Sequence, residues 1–454
     1  MFNRKVINYL KQWKNRKKHK PLILRGARQV GKTSAVEIFA KENFAQLINI
    51  NLENPEHGAL FREPLSLQDF NQIIQLKFNQ KIEEGKTLLF IDEIQNSVPL
   101  MRLLRFFYEE QPNLHVIAAG SLLEVKLHKA SFSFPVGRVE YTYLHPLDFF
   151  EYLEAKGERI LLDILRNIQT GSSVPQAIHD QSIKLFNEYM LIGGMPEAVK
   201  TFIETQDILA VNRVYNSLFT SFLDDVYKYA PDSKVKYLIH VIENAPLFAG
   251  QTITYEHFAN SAYRSREMGE AFDTLEKTML VNRIVGSKET ALPLVPKKKK
   301  APKIIFIDIG MVNYKMGIRE QLFNIKDLSS LYQGRIAEQV VGQNLLSLVH
   351  DQLVPVSYWY RDIPGSTAEV DYIIAHKGMI MPIEVKSGSS GRLRSLVEFT
   401  KRTGMKIAVR VYGGVFREEA IKSGNVSFKL ISIPFYLLPR ITELVDSLQS
   451  KSSP

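Results

Sequence analysis

The stretch KPLILRGARQVGKTSAVEIFAKENF, residues 20–44, restricts what this chain can fold into more than any other. Pro21 to Leu24 is a short apolar run that reads as a buried strand, and from Thr33 the apolar residues Ala35, Ile38 and Phe39 recur at helical spacing. Between them Gly26 to Thr33 matches the GxxxxGK[ST] phosphate loop. The two glycines let backbone N–H groups curl around phosphate oxygens at a helix N-terminus. Gly26, Ala27, Arg28, Gln29, Val30, Gly31, Lys32, Thr33 and Ser34 are therefore the expected nucleotide-binding residues, with Lys32 reaching the β- and γ-phosphates and Thr33 giving its hydroxyl to Mg²⁺. ATP and Mg²⁺ are the implied cofactors. A bare glycine-rich turn would need neither the strand before it nor the helix after it.

GKTLLFIDEIQNSVP supplies a partner for that loop. Leu88 to Ile91 is a continuous apolar run, as expected of a parallel strand covered on both faces, and it ends in Asp92 and Glu93. Strand ends in such sheets face the ligand. Asp92 is expected to hold Mg²⁺ through water, and Glu93 to activate the attacking water. A further strand, Leu114 to Ser121, ends in Ser121, which reads either as a γ-phosphate sensor or as a small-residue strand end. Phosphoryl transfer also calls for an arginine, supplied in cis or by a neighbouring copy. Arg138 is the candidate, with Arg102 and Arg105 as rivals; each reads equally as a surface arginine.

The stretches LRGARQVGKT, LLFIDEIQ, AAGSLLEV and GRVEYTYLHPLDFFEYL resemble the bacterial and archaeal AAA-type ATPases that carry a C-terminal domain of unknown function, numbered 4143. LIGGMPEAV (Leu191 to Val199) and KIIFIDIGMVNY (Lys303 to Tyr314) extend the similarity over nearly the whole chain. The resemblance implies ATP binding by Gly26 to Thr33 and Asp92. It implies no cellular role.

With 454 residues the chain is too long for one core and suggests two to four domains. It has no cysteine, which excludes disulfides and thiolate metal sites and fits a cytoplasmic location. The N-terminus lacks the apolar core of a signal peptide and no apolar run reaches membrane-spanning length, so no membrane partner is expected. The formal net charge is +10, and eight Lys or Arg with no acid lie between Arg4 and Lys20. A second basic run, PKKKKAPK, spans Pro296 to Lys303. Such runs suit a polyanion such as DNA, or merely solvate a face.

The middle of the chain reads as mostly helical from Leu144 to about Phe248, with a turn at Gly193-Gly194-Met195-Pro196. A short helix over Tyr255 to Ser261, a longer one over Glu267 to Leu280 and a strand from Val281 give winged-helix order. Arg264, Arg266, Lys277 and Lys297 to Lys300 are then candidate phosphate contacts.

After residue 331 the order is a helix, three strands (VSYWYRD, AEVDYIIAHKG and MIMPIEVKSG), a helix and a strand. That is the order of a restriction-endonuclease-like core. Glu384 and Lys386 share one face of the third strand, because side chains alternate with period two. Asp371 lies in the strand before, and Glu338 on the preceding helix. Carboxylates that hold Mg²⁺ and a lysine that positions water are what phosphodiester hydrolysis needs. The set therefore looks like the signature of the PD-(D/E)XK nucleases, with Glu338, Asp371 and Glu384 as metal ligands and Lys386 as the catalytic lysine that positions or activates the water. Val370 stands where the proline of that signature would be. Taken alone, IEVK is also an ordinary half-buried strand.

The expected architecture is thus a multidomain α/β protein. It comprises a basic N-terminal helix (1–20), a parallel αβα P-loop core of AAA type (21–145), a helical lid or connector (146–200), a helical and winged-helix region (201–325) and a nuclease-like α/β domain (326–454). The expected activity is ATP hydrolysis coupled to a DNA-directed, nuclease-like domain. The alternative is a nucleotide-regulated DNA- or protein-binding switch whose nuclease-like domain is inactive. A second copy of the chain or an unknown protein remains an open partner.

Overall fold

Apolar strands that water cannot reach, and that the chain must reconnect through helices, set the first unit. The structure, a computed structural model, describes residues 1–121, 137–297, 299–317, 334–348, 350–351, 355–363, 368–388 and 393–450. The residues following Ser121 in AAGSLLEV, Lys298, the start of the helix expected after 331 and most of the IPGST turn lie outside the described residues. The chain divides into two compact units, one of Met1–His145 with Lys277–Met279 and Val349–Leu353, the other of the remainder.

In the first unit β1 (Leu22–Arg25), β2 (Gln46–Asn51), β3 (Thr87–Asp92), β4 (His115–Gly120) and β5 (Glu140–Tyr143) form one sheet in the order β2-β3-β4-β1-β5. Every pairing is parallel. All residues of β1, β3 and β4 are buried, the pattern of strands covered on both faces. Because the strands are parallel and in register, Arg25, Asp92 and Gly120 end at one edge of the sheet.

The basic N-terminal segment is less a free polyanion surface than a brace. Val6, Ile7, Leu10 and Trp13 of the helix Val6–Lys14 are buried. Arg4 is only 6% exposed and its Nη1 donates to the Val30 carbonyl of the phosphate loop at 2.9 Å. Below the helix His19 and His115 stack with centroids 4.0 Å apart, and the Trp13 ring meets both edge-on.

The second unit contains an eight-stranded mixed sheet in the order β12-β13-β11-β10-β9-β8-β6-β7. Its strands are β6 (Val281–Ser287), β7 (Lys303–Phe306), β8 (Val356–Tyr360), β9 (Glu369–His376), β10 (Met379–Lys386), β11 (Ile407–Tyr412), β12 (Arg417–Ser423) and β13 (Val426–Pro434). The helix Arg335–Leu346, the β8-β9-β10 meander, the helix Arg394–Thr403 and β11 follow the expected order. The sheet also recruits β6 and β7 from ahead of the boundary expected at 326, through parallel pairing of β6 with β8.

One expected element differs. The segment Tyr255 to Ser261 holds only a 3-10 turn, Phe258–Asn260, in place of a helix. His257, Ala259 and Asn260 all have positive φ, which an α-helix of L-residues cannot accommodate. The order around it is the helix Asp232–Asn244, a bridge of Thr252 to Lys303, the turn, the helix Ser265–Lys277, then β6 and β7 paired antiparallel.

The GGMPEA and FIDIG stretches meet in the core of this unit. Asp308, fully buried, accepts from Gly194 N at 2.6 Å and from Tyr215 Oη at 3.1 Å, and caps the helix Ile309–Lys315 through Met311 N. Gly193 has φ 80°, and a Cβ there would lie 2.2 Å from Asp308 Oδ1. At Gly310 a Cβ would lie 2.3 Å from the Ile192 carbonyl. Only glycines let the two segments approach this closely.

These contacts carry two stability predictions. Asp308→Ala strands the Gly194 N–H, takes one partner from the Tyr215 hydroxyl and removes a cap; a loss of about 3 kcal/mol is expected in urea unfolding of the full chain, with Gly193→Ala at least as severe. Unfolding midpoints within error of wild type for both variants would show that the hub is dispensable. The second concerns pH. Burial, then the neighbouring His19, pushes His115 down to about 4, and burial pushes His19 down as well. Folding therefore favours the neutral rings, so their stabilisation is complete above the unfolded value of about 6.5 and drains away as pH falls towards 4. The thermal midpoint of the first unit, followed by Trp13 fluorescence, is expected to fall between pH 7 and pH 5, and His115→Phe to flatten that fall.

Candidate functional site

Two clusters of ionisable side chains stand out, one in each unit. The first is built where β1 runs into the helix Lys32–Asn43. Gln29 (φ 63°) and Gly31 (φ 90°) turn the loop, and Gly26 packs so tightly that a Cβ would lie 2.5 Å from the Leu144 carbonyl. Lys32 is 6% exposed, and its Nζ donates to the Gly26 and Ala27 carbonyls at 3.1 and 2.9 Å, so the loop closes over its own lysine. Burial lowers the pKa of that amine. Arg28 reaches out to Glu53 at 3.4 Å, and Ser34 follows Thr33 at the start of the helix.

Thr33 Oγ1 donates to Asp92 Oδ2 at 2.6 Å, so the two residues expected at Mg²⁺ are joined, one on the helix Lys32–Asn43 and the other at the end of β3. Burial raises the Asp92 pKa, with the Thr33 hydroxyl opposing it. Glu93 leaves the strand in the left-handed region (φ 54°), which ends the β3 pleat at Asp92. Gln95 Nε2 donates to Glu93 Oε2, and the Gln95 amide lies against Gly120, where a Cβ would be 2.1 Å from its Oε1. Gln95 thus ties the expected catalytic carboxylate to the end of β4, beside Ser121. Sequence reasoning passed over Gln95, although its place two residues after Glu93 was visible. A hydroxyl-carboxylate pair, an ammonium resting on loop carbonyls and a glycine cradle together fit a nucleoside triphosphate with Mg²⁺.

Arg138 precedes β5, whose Glu140 pairs with Leu22 at the start of β1. It therefore stands at the sheet edge opposite the phosphate loop of its own chain. Its Nε pairs with Glu109 at 2.8 Å, and Arg105 pairs with the same carboxylate at 3.0 Å.

The second cluster lies on the sheet of the second unit. β10 is paired on both sides and buried along its length, with Glu384 only 5% exposed. An ordinary strand with one wet face is excluded. Lys386 Nζ donates to Glu384 Oε1 at 2.6 Å, and Asp371 Oδ2 accepts from the Val385 amide at 2.7 Å. Glu384 Oε2 is buried with no hydrogen-bond partner among the described residues. Burial, then the Asp371 carboxylate, pushes Glu384 up to about 8.

Glu338 was expected as a third ligand, but its carboxylate is paired with Lys303. Lys303 is 2% exposed; its Nζ also donates to the Asp371 carbonyl at 3.2 Å, lies 4.0 Å from Glu369 and sits over the Tyr372 and Tyr358 rings. An ammonium so deeply buried requires a carboxylate, and Glu338 supplies it. Burial pushes Glu338 up to about 7 despite that partner. Among the described residues no three His, Cys, Asp or Glu side chains form a group that could hold a metal ion. The donors fit a hard divalent cation at Asp371 and Glu384, where a buried oxygen is unpaired; they do not form the three-carboxylate cage. Lys303 escaped sequence reasoning because it arrives from β7, far from Glu384 in the chain.

The residues expected to read DNA are less basic in place than in sequence. The helix Ser265–Lys277 carries Glu267, Glu270, Asp273 and Glu276 against Arg266 and Lys277. Arg266 pairs with Glu270 at 3.2 Å, while Arg264 is exposed. Lys300 lies over the Tyr360 ring at 4.6 Å.

Residues 18–153 match the family described as AAA domain, 183–322 a domain of unknown function (DUF8612) and 333–436 another (DUF4143). No curated protein matches the chain. Among solved structures, the Thermotoga maritima RuvB Holliday junction branch migration motor is similar at 18% identity and TM-score 0.27, over 66% of this chain and 93% of that one. The C. elegans PCH-2 structure is similar at 12% identity and TM-score 0.28, over 47% and 69%. The Aeropyrum pernix ORC1 protein in complex with DNA is similar at 11% identity and TM-score 0.27, over 69% and 90%. Likenesses this remote carry no functional argument. No helix among the described residues is long and apolar enough to cross a membrane. The chain is an α/β multidomain protein that joins an AAA-type P-loop domain at its N-terminal side to a DUF4143 domain at its C-terminal side.

Proposed function

We propose that the chain hydrolyses ATP at the phosphate loop and directs that cycle at DNA through a nuclease-like C-terminal domain. The observation that carries the first half is the Thr33–Asp92 hydrogen bond, which pairs the two side chains a nucleotide-bound Mg²⁺ needs. That ion would neutralise charge on the phosphates. The chain does the rest: loop amides and Lys32 hold the β- and γ-phosphates, and Glu93 takes a proton from the attacking water. Ser121 orients the γ-phosphate end. Arg138, at the far edge of its own sheet, serves a neighbouring copy of the chain in a homo-oligomer.

The second half rests on buried Glu384 with half-buried Asp371 and Lys386, at the end of a meander with the expected order of elements. A divalent ion there would activate water for attack on a phosphodiester. Lys386 orients that water and Asp371 and Glu384 supply oxygen ligands. The order from the helix Asp232–Asn244 to β7 supports a winged-helix reading of the middle region, with the described lysines of the basic run that begins at Pro296 in its wing. Lys297, Lys299 and Lys300 are its phosphate contacts, in preference to the acidic helix Ser265–Lys277. One observation favours the second reading, a nucleotide-regulated binding switch with an inactive nuclease-like domain: Glu338 is already spent on Lys303.

Lys32→Ala is expected to lower ATP turnover by about 100-fold or more; undiminished turnover in that variant would remove the ATPase reading. Gln95→Leu is expected to reduce kcat about 10-fold with ATP affinity changed less than about 2-fold, because Gln95 positions Glu93 without touching nucleotide. Equal losses in kcat and affinity would mean a structural role only. For the second half, supercoiled plasmid is incubated with Mg²⁺ or Mn²⁺ and wild type or Glu384→Ala. Cleavage by wild type alone supports the nuclease; no cleavage by either, with DNA binding that weakens as salt rises, supports the switch.

A further inference from the structure

Lys303 is a buried ionisable group to which neither half of the reading above gives a role of its own. It belongs to FIDIG's flank, KIIFIDIG, and enters the sheet at the start of β7. Around it stand Glu338 from the helix Arg335–Leu346, Glu369 and the Asp371 carbonyl from β9, and the rings of Tyr358 and Tyr372 from β8 and β9. At 2% exposure it has no route to bulk water as a counter-ion source, and the two tyrosine faces add cation–π attraction. The site thus collects Glu338, Glu369, Asp371 and Glu384 against Lys303 and Lys386.

Those charges sort into two halves. Lys303 draws Glu338, with Glu369 nearby, to one side. Asp371 and Glu384 are left beside Lys386, with Glu384 Oε2 buried and unpaired among the described residues. We infer that Lys303 is a positioning residue that acts as the resident cation of the Glu338 half, keeping this carboxylate out of the metal's shell, so that a divalent cation at this site is held by Asp371 and Glu384 without Glu338. The inference rests on the reading of Asp371 and Glu384 as a divalent-cation site. Its physical content is a competition. An ammonium built into the chain is present at every metal concentration, whereas a free dication must also overcome repulsion from that ammonium. At an effective dielectric near 20, such repulsion of a dication across several ångströms exceeds roughly 100-fold in affinity.

The test is Mn²⁺ titration of the nucleotide-free full chain, followed by the electron paramagnetic resonance signal of free Mn²⁺. Only binding that Glu384→Gln removes is assigned to this site, which sets aside the phosphate loop. Expected results are three. Wild type binds one Mn²⁺ that Glu384→Gln abolishes; Glu338→Gln changes its affinity less than about 3-fold; and Lys303→Met tightens it at least about 10-fold, a gain that the double variant Lys303→Met/Glu338→Gln loses. If Glu338→Gln weakens Mn²⁺ as much as Glu384→Gln does, Glu338 is a ligand in the native protein and the inference is overturned while the cation site stands. If no Mn²⁺ responds to Glu384→Gln in either wild type or Lys303→Met, the cation site itself is refuted and the inference with it. Should Lys303→Met fail to fold by circular dichroism, the comparison of Glu338→Gln with Glu384→Gln decides alone.

Discussion

An ionisable side chain taken out of water must find an opposite charge or a hydrogen-bond partner, and both units are organised by how this demand is met. Lys32 rests on two loop carbonyls, Asp92 on the Thr33 hydroxyl, Asp308 on a backbone amide and a tyrosine, and Lys303 on Glu338. Each of these contacts holds separate elements together. The Thr33–Asp92 bond ties β3 to the first helix of the loop, and Asp308 draws the Gly193–Gly194 turn onto the start of the helix Ile309–Lys315. Where the demand is only half met, as at Glu384 Oε2, the fold keeps a group whose charge is expensive without a ligand. Such a group is where binding is expected.

The two clusters differ in how complete they are by themselves. At the phosphate loop the ammonium and the carboxylate already have partners within the loop and the sheet, and a triphosphate would replace weak carbonyl contacts with strong ones. In the second unit the acids outnumber the lysines, and the lysine that was not foreseen has claimed the helix acid. A nuclease signature written as residue types at spacings treats Glu338, Asp371 and Glu384 as equivalent ligands. Their surroundings make them unequal.

Much of this was legible in the chain. The strand, loop and helix over residues 20–44, the apolar run into Asp92, and the meander ending at Lys386 are local patterns, set by short-range periodicity and turn chemistry. The short helix expected over Tyr255 to Ser261 failed because three residues there adopt positive φ, a local choice that composition does not announce. The basic run at Arg4 to Lys20 looked like a surface for polyanions. Burial of its apolar face turned Arg4 into a brace for Val30, since a guanidinium can reach a carbonyl from beneath a docked helix. The helix Ser265–Lys277 sets four acids against Arg266 and Lys277, so its face is less basic than those two cations suggest.

By itself the sequence determined that a loop of the phosphate-binding pattern stands between a strand and a helix, and that an acid and a lysine alternate along a strand late in the chain. Those facts follow from neighbours within a few residues. Only the tertiary structure decided which charges meet. Gln95 reaches Glu93 because Gly120 on another strand leaves room for its amide. Asp308 lies against Gly193 and Gly194 because two glycines permit backbone contact. Lys303 neutralises Glu338 because β7 joins the edge of the sheet through β6, a pairing over long sequence separation that no local pattern encodes.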